Sequence, residues 1–321
     1  MEASLAASSR DAYATGLRKF RRFLVNTAAQ LGSVPPLAST ASELRECLEQ
    51  PVLVACFLAS LFDEGLAATT ASGYLDAVRH AAMDLHAGPP IVSPSQTAVL
   101  KGFANLGPEV NPLRPHIDGA LLSRMMEAIP RIFSSEVAAM LGAICTLAFF
   151  GCCRVSEYLH SSDRKKRLTL ADIDMTASGQ VIVRLKKTKN NQRGPAQMVF
   201  LSERTGDSCP VRAMRAFLLC RDKRLSNDAP LFSTHKGPLS PRTFNKMIKQ
   251  LMRTIGVPDY QRYSTHSFRA GSATDAVTQG APIDDVKAMG RWRSDAVHAY
   301  IRGPALQQAA ARSRSLLLPN G

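Results

Sequence analysis

The segment Thr265–Arg302 reads THSFRAGSATDAVTQGAPIDDVKAMGRWRSDAVHAYIR, and the fold of the whole chain turns on how it is interpreted. His266 and Arg269 stand three apart, a same-face spacing on a helix capped by Ser264 or Thr265, so both side chains are expected to project one way. Further on, SDAVHAY predicts a short helix with Ser294 as N-cap and Asp295 near the positive end of the dipole, placing Tyr300 on its last turn. Taken singly, each residue has an ordinary explanation. A His and an Arg one turn apart are usually a surface pair, and a single Trp or Tyr usually packs a core or its rim. The order His266, Arg269, Trp292, Tyr300, with gaps of 23 and 8, is what calls for partners elsewhere in the chain.

Composition bounds the search. A chain of 321 residues, 45% of them hydrophobic, has material for two domains and is not disordered by default. The net charge of +14 and pI near 9.8 favour a polyanionic partner, because Lys and Arg that neutralise phosphates release counterions. Seven Cys, at 47, 56, 145, 152, 153, 209 and 220, form no CxxC pair. That argues against a disulfide framework or a zinc site and for a reducing, intracellular compartment, the nucleus if the source is a eukaryote. MEASLAASSRDAY lacks the basic and apolar regions of a secretory signal. The apolar run Val137–Cys153 is at the short limit for a membrane span and is read as a buried helix, so no membrane partner is expected.

Upstream, Ser9–Asn26 carries an apolar stripe of Tyr13, Leu17, Phe20, Phe23 and Leu24, with Arg18, Lys19, Arg21 and Arg22 on the other face. Such cations are normally solvated; in a chain this basic they equally suit a phosphate backbone. The stretch 32–42 reads as a loop, and helices follow at Pro51–Glu64, Thr69–His86 and Ser93–Leu106. The prediction is a mainly α protein: a four-helix bundle over residues 1–108, a Pro-rich linker at 109–118, and a mixed α+β domain over 119–321. In the second domain, helices are expected at Gly119–Ile129 and Ser134–Phe150. Short strands are expected at Leu168–Met175, Val181–Lys186 and Gln197–Leu201, forming a small antiparallel sheet. Helices at Pro210–Lys223 and Pro241–Ile255 then lead to the opening segment, and a helix-prone tail, Ala305–Leu318, ends in leucines.

Two features complete the pattern. GCCRVSEYL ends the apolar helix with Arg154, three residues before Glu157; an Arg there is costly unless a carboxylate or a ligand phosphate meets it. The second hairpin carries Lys186, Lys187, Lys189 and Arg193 near its tip, a solvated end or a DNA-contacting loop. Arg154, a hairpin Lys, His266, Arg269, Trp292 and Tyr300, in that order, resemble the catalytic signature of the tyrosine recombinase, or phage-integrase, family. KKTKNNQRG is similar to the version in eukaryotic mobile-element recombinases, which aligns Lys187 as the catalytic lysine, with Lys186 and Lys189 as alternatives. Trp292 stands where bacterial members commonly have His, and the gap of 8 to Tyr300 is one shorter than is typical; the shorter gap, with GRWRSDAVHAYIR, looks more like DIRS-like retroelements and Cryptons.

The resemblance implies a site-specific recombinase that cleaves and rejoins double-stranded DNA through a 3′-phosphotyrosyl bond, without metal or nucleotide cofactor. It implies Tyr300 as nucleophile, Arg154 and Arg269 as permanently charged forks on the non-bridging oxygens, and His266 sharing the phenol proton or holding the phosphate. Trp292 would bond a phosphate oxygen and wall off water, Lys187 would protonate the departing 5′ oxygen, and Glu157 would support Arg154. It also implies an N-terminal domain that grips DNA, and a tail passed to a neighbouring subunit, giving a dimer on each site and a tetramer in the synaptic complex. Two other readings compete: a DNA-binding protein that keeps the fold without strand exchange, and a type IB topoisomerase acting as a monomer. The full residue set weighs against the first and the leucine-ended tail against the second. Tyr260 and Tyr263 are the alternative nucleophiles.

Overall fold

The structure is a computed structural model that describes residues 7–31, 38–83, 93–106, 115–159, 167–188, 191, 193–301 and 303. The chain divides into two compact units, one up to Pro112 and one from Leu113.

The first unit holds helices α1 (Ala7–Leu31), α2 (Ala41–Leu48), α3 (Pro51–Asp63), α4 (Ala68–Ala81) and α5 (Pro94–Leu106). Pro51 opens α3 at its first position, where a missing N–H costs nothing. The core is built from Phe20 and Leu24 of α1, Leu44 of α2, Phe57, Leu58 and Leu61 of α3, Leu75 and Val78 of α4, and Phe103 of α5. Four helices were expected and five are present among the described residues. The additional one, α2, begins with a capping box in which Thr40 and Glu43 satisfy each other's backbone N–H groups. Gln96 is buried and ties three helices, donating to Leu48 O at 3.1 Å and accepting from Arg79 at 2.7 Å.

The second unit contains α6 (Gly119–Ile132), α7 (Ser135–Phe150) and a one-turn helix α8 (Val155–Tyr158). Strands β1 (Ile173–Met175), β2 (Val181–Leu185) and β3 (Gln197–Leu201) follow, then α9 (Pro210–Cys220), a small hairpin β4 (Ser233–Thr234) and β5 (Gly237–Pro238), and α10 (Pro241–Thr254), α11 (Thr265–Thr278) and α12 (Ile283–Gly290). The three-stranded sheet is antiparallel in the order β1-β2-β3, with Ile182 opposite Phe200. Its inner residues Val181, Val183, Leu185, Val199 and Leu201 join a core centred on α7, which is buried almost all round, as its unbroken apolar run requires. Among the described residues no helix is long and apolar enough to cross a membrane.

Helix α11 is likewise buried along most of its length. Its small residues let backbone approach closely: a Cβ on Gly271 would stand 1.6 Å from Ile117 O, and Ile117 N–H donates to Ser267 O at 2.9 Å. Asp275 accepts from Gly119 N–H at 2.7 Å, and Asp118 caps α6 through Leu121 N–H at 2.7 Å. Residues 115–118, which composition assigns to the linker, are therefore part of the packing of α11; residues 107–114 and the tail 304–321 lie outside the described residues.

Candidate active site

Helix α7 stops at Gly151, and the chain turns through Cys152, whose φ of 45° is left-handed. This turn delivers Arg154 to the N-cap position of α8. Glu157, three residues on, folds back so that Oε2 accepts from Arg154 N–H at 2.9 Å and Oε1 from Arg154 Nη1 at 3.0 Å. The internal pair that ordinary chemistry anticipates is thus formed, with the Glu157 side chain 1% exposed.

Arg269 projects from α11 into the centre of the unit and is wholly buried. Its Nη1 donates to Cys152 O and its Nη2 to Gly290 O at 2.6 Å, while Nε is buried without a hydrogen bond. The guanidinium carbon lies 3.9 Å from the centroid of the Trp292 ring and 5.5 Å from that of Tyr300. Burial holds the pKa of Arg269 below the usual arginine value; arginine starts so high that the charge is retained. His266, one turn earlier on α11, is exposed, whereas Arg269 is buried.

Trp292 and Tyr300 come to Arg269 from a loop that continues α12. Arg291 adopts a left-handed φ of 57°, reversing the chain so that Trp292 turns inward. The expected α-helix SDAVHAY is a 3-10 turn, Asp295–Ala299, with the Ser294 hydroxyl accepting from Ala296 N–H at 3.4 Å. Tyr300 ends that turn; its carbonyl accepts from Thr274 Oγ1 at 3.2 Å, and its ring lies 5.2 Å from the Trp292 ring. Both rings belong to a small cluster with Cys152, Ala273, Val277, Val286, Val297 and Ile301.

Arg291 is a residue that the sequence reading passed over. Its guanidinium donates to Glu157 Oε2 at 2.8 Å and to the carbonyls of Gly151, Cys152 and Met289 at 3.2, 3.3 and 3.1 Å. Glu157 is the carboxylate partner of both Arg154 and Arg291, while Arg269 close by bonds only to carbonyls, so three guanidinium groups share one carboxylate charge and leave a surplus of two positive charges in a largely dry place. A buried surplus of this kind is expensive unless an anion relieves it.

The other predicted residues fall elsewhere. Lys186 pairs with Asp172 at 2.7 Å and donates to Arg167 O at 3.2 Å, so it is taken up in fastening the sheet. Lys187 donates to Gly194 O at 3.2 Å across the hairpin, which Asn191 closes through Pro195 O and Gly194 N–H. Among the described residues neither lysine bonds to the arginine and aromatic cluster. Arg193 is exposed, and Lys189 lies outside the described residues. On α1, Lys19 pairs with Glu64, and Arg21 bonds to Ala38 O at 3.0 Å and Ser39 O at 3.4 Å, so the expected row of four cations retains Arg18 and Arg22 as its exposed members. Of the alternative tyrosines, Tyr263 has its pKa raised by burial and by Asp118. Tyr260 lines a separate basic depression of about 420 Å³ with Lys249 and Arg253. Burial pushes the Cys153 thiol up to about 12 and raises Cys152 as well, which leaves both neutral beside the arginines. Among the described residues no three His, Cys, Asp or Glu side chains are grouped to hold a metal.

Residues 117–302 match the model of the phage integrase family. Several solved structures are similar in fold. The XerH site-specific recombinase bound to difH substrate superimposes with a TM-score of 0.63 at 19% identity, covering 94% of this chain and 78% of that one. The Tn1549 transposon integrase in complex with circular intermediate DNA gives 0.57 at 14% identity, covering 92% and 99%. A lambda integrase dimer bound to a COC′ core site gives 0.54 at 16%, covering 97% and 73%. No curated protein matches the sequence.

Proposed function

The chain belongs to the phage integrase family, and from that premise we infer that it is a site-specific DNA recombinase whose nucleophile is Tyr300. The observation that carries the assignment of the site is the gathering of Arg154, Arg269, Trp292 and Tyr300 around a buried surplus of positive charge. A scissile phosphodiester supplies the missing anion. The Tyr300 phenol oxygen attacks phosphorus, the 5′ oxygen leaves with a proton from Lys187, and a 3′-phosphotyrosyl bond conserves the bond energy for a second 5′-hydroxyl to reverse the step. Tyrosine ionises near pH 10, so attack at neutral pH depends on the cationic surroundings and on His266 taking the phenol proton.

Arg154 and Arg269 stabilise the charge that builds on the non-bridging oxygens. Arg269 is sealed under two rings, so a phosphate reaches it only when the Trp292–Tyr300 segment shifts; its unbonded Nε is then the donor to offer. Double-stranded DNA is the partner, held in addition by the exposed Arg18, Arg22 and Arg193. Residues 1–108 and 119–321 act as the DNA-gripping and catalytic domains, and the tail 305–318 joins protomers into a dimer on each site and a tetramer in synapsis. The test is a nicked suicide duplex from the cognate site. A covalent protein–DNA adduct that forms with the native chain and is absent with Tyr300→Phe supports the reading. An adduct that survives the substitution moves the nucleophile to Tyr260 or Tyr263, and no adduct at all removes strand exchange.

A further inference from the structure

Arg291 is costly to place as it is. A side chain in the left-handed region at φ 57° carries a penalty that Gly would avoid, and the Arg291 side chain is 8% exposed. What it does there is specific. Nη2 reaches Glu157 Oε2 at 2.8 Å, the same oxygen that receives Arg154 N–H at 2.9 Å, while Oε1 is left to Arg154 Nη1 at 3.0 Å. The carboxylate is thereby divided between two arginines. Among the described residues, Arg154 meets Glu157 through one side-chain nitrogen, not through the two-pronged pairing that an isolated Arg and Glu prefer.

We propose that Arg291 is a positioning residue for Arg154, acting through Glu157: by occupying Oε2 it keeps Arg154 from closing onto the carboxylate and leaves the fork of Arg154 turned to a phosphate. This rests on the recombinase reading of Arg154. With Arg291 removed, Glu157 is a buried carboxylate with a single cationic partner, and Arg154 is drawn onto both oxygens. Affinity for DNA, which is spread over many cations, hardly changes, but the transition state loses a well-aimed donor.

The experiment measures single-turnover cleavage of the suicide duplex, and DNA dissociation constants, for the native chain, Arg291→Ala, Arg291→Lys, Glu157→Gln and the double variant Glu157→Gln/Arg291→Ala. Arg291→Ala is expected to slow cleavage on the order of 10²-fold, the usual effect of misplacing a catalytic group by an ångström, with DNA binding within about twofold. Glu157→Gln/Arg291→Ala is expected to be no slower than Glu157→Gln alone, because a neutral amide no longer captures Arg154. Arg291→Lys, which keeps a counter-charge for Glu157 and gives up the carbonyl bonds, is expected to stay within about tenfold of the native rate. If the two losses multiply in the double variant, or if Arg291→Lys cleaves as slowly as Arg291→Ala, the residue only braces the turn at Gly151–Cys153 and the proposal is overturned. Where Arg291→Ala does not fold, Arg291→Lys decides: cleavage within about tenfold of the native rate supports the proposal and a slower rate overturns it. A native chain that forms no adduct overturns the recombinase reading and this proposal together; an active native chain with multiplying losses overturns this proposal alone.

Discussion

Replacing Gly290 with Ala sets two well-understood effects against each other. Gly290 is the last residue of α12, and in a helix the exchange ordinarily gains up to about 1 kcal/mol. Here the new Cβ would stand 1.7, 2.1 and 2.5 Å from Cζ3, Cε3 and Cη2 of Trp292. Carbon atoms settle at about 3.5–4.0 Å, so the indole must move by about 2 Å. Overpacking of that kind costs about 1–3 kcal/mol. The displaced ring also leaves the Arg269 guanidinium, 3.9 Å away, and a desolvated cation–π contact is worth about 2 kcal/mol. The balance is a loss of about 2–4 kcal/mol. Trp292 is the sole tryptophan of the chain and is 8% exposed, so fluorescence reports on this site directly and urea unfolding followed at that wavelength registers the second unit. Gly290→Ala is expected to lower the midpoint and to red-shift the native emission. In contrast Gly73 of α4, where a Cβ meets nothing within 4 Å, is expected to accept Ala with a gain of up to about 1 kcal/mol by circular dichroism. A Gly290→Ala protein as stable as the native one, with unshifted emission, would refute the packing of Trp292 on Arg269.

Two further predictions concern the lysines and the N-terminus of α6. Lys186→Ala strips the buried Asp172 of its cation and is expected to cost about 1–2 kcal/mol in urea unfolding, discounted because Lys186 is 34% exposed and Thr169 also bonds Asp172. Lys187→Ala is expected to leave stability within about 0.5 kcal/mol and to slow adduct formation by about 10²-fold or more; the reverse ranking would exchange their roles. Burial raises the folded-state pKa of Asp275 above the ordinary 3.8, aided by Asp118 and opposed by Gly119 N–H and His116. Because the neutral form is the one favoured by folding, this contribution is fully present below pH 3.8 and is lost as pH rises through the raised value. The stability of the native chain relative to Asp275→Asn should therefore fall with rising pH across that window, and a flat or rising difference measured by urea unfolding would contradict it.

Much of this was legible because apolar periodicity reports burial directly. The unbroken apolar run of α7 identifies one central helix, while the burial of α11 was not read from its sequence; Arg154, Arg269, Trp292 and Tyr300 are marked by order and spacing. Helix α2 was missed because it is short and follows a Pro- and Ser-rich stretch, although Thr40 and Glu43 spell its capping box. Arg291 was illegible for a different reason. In GRWRS, which arginine turns inward is decided by a left-handed residue at the end of α12, and helical periodicity carries no information across such a reversal. The contrast between Lys186 and Lys187 likewise depends on which neighbour, Asp172 or Gly194, the folded sheet brings alongside.

The stitching of residues 115–118 to α11 has a mechanical side. Ile117 N–H on Ser267 O, Gly119 N–H on Asp275 and the bare surface of Gly271 fasten the incoming chain at successive turns of one helix. A pull on residues 115–118 would therefore load α11 at three successive turns as well as α6, and α11 is the helix from which Arg269 projects.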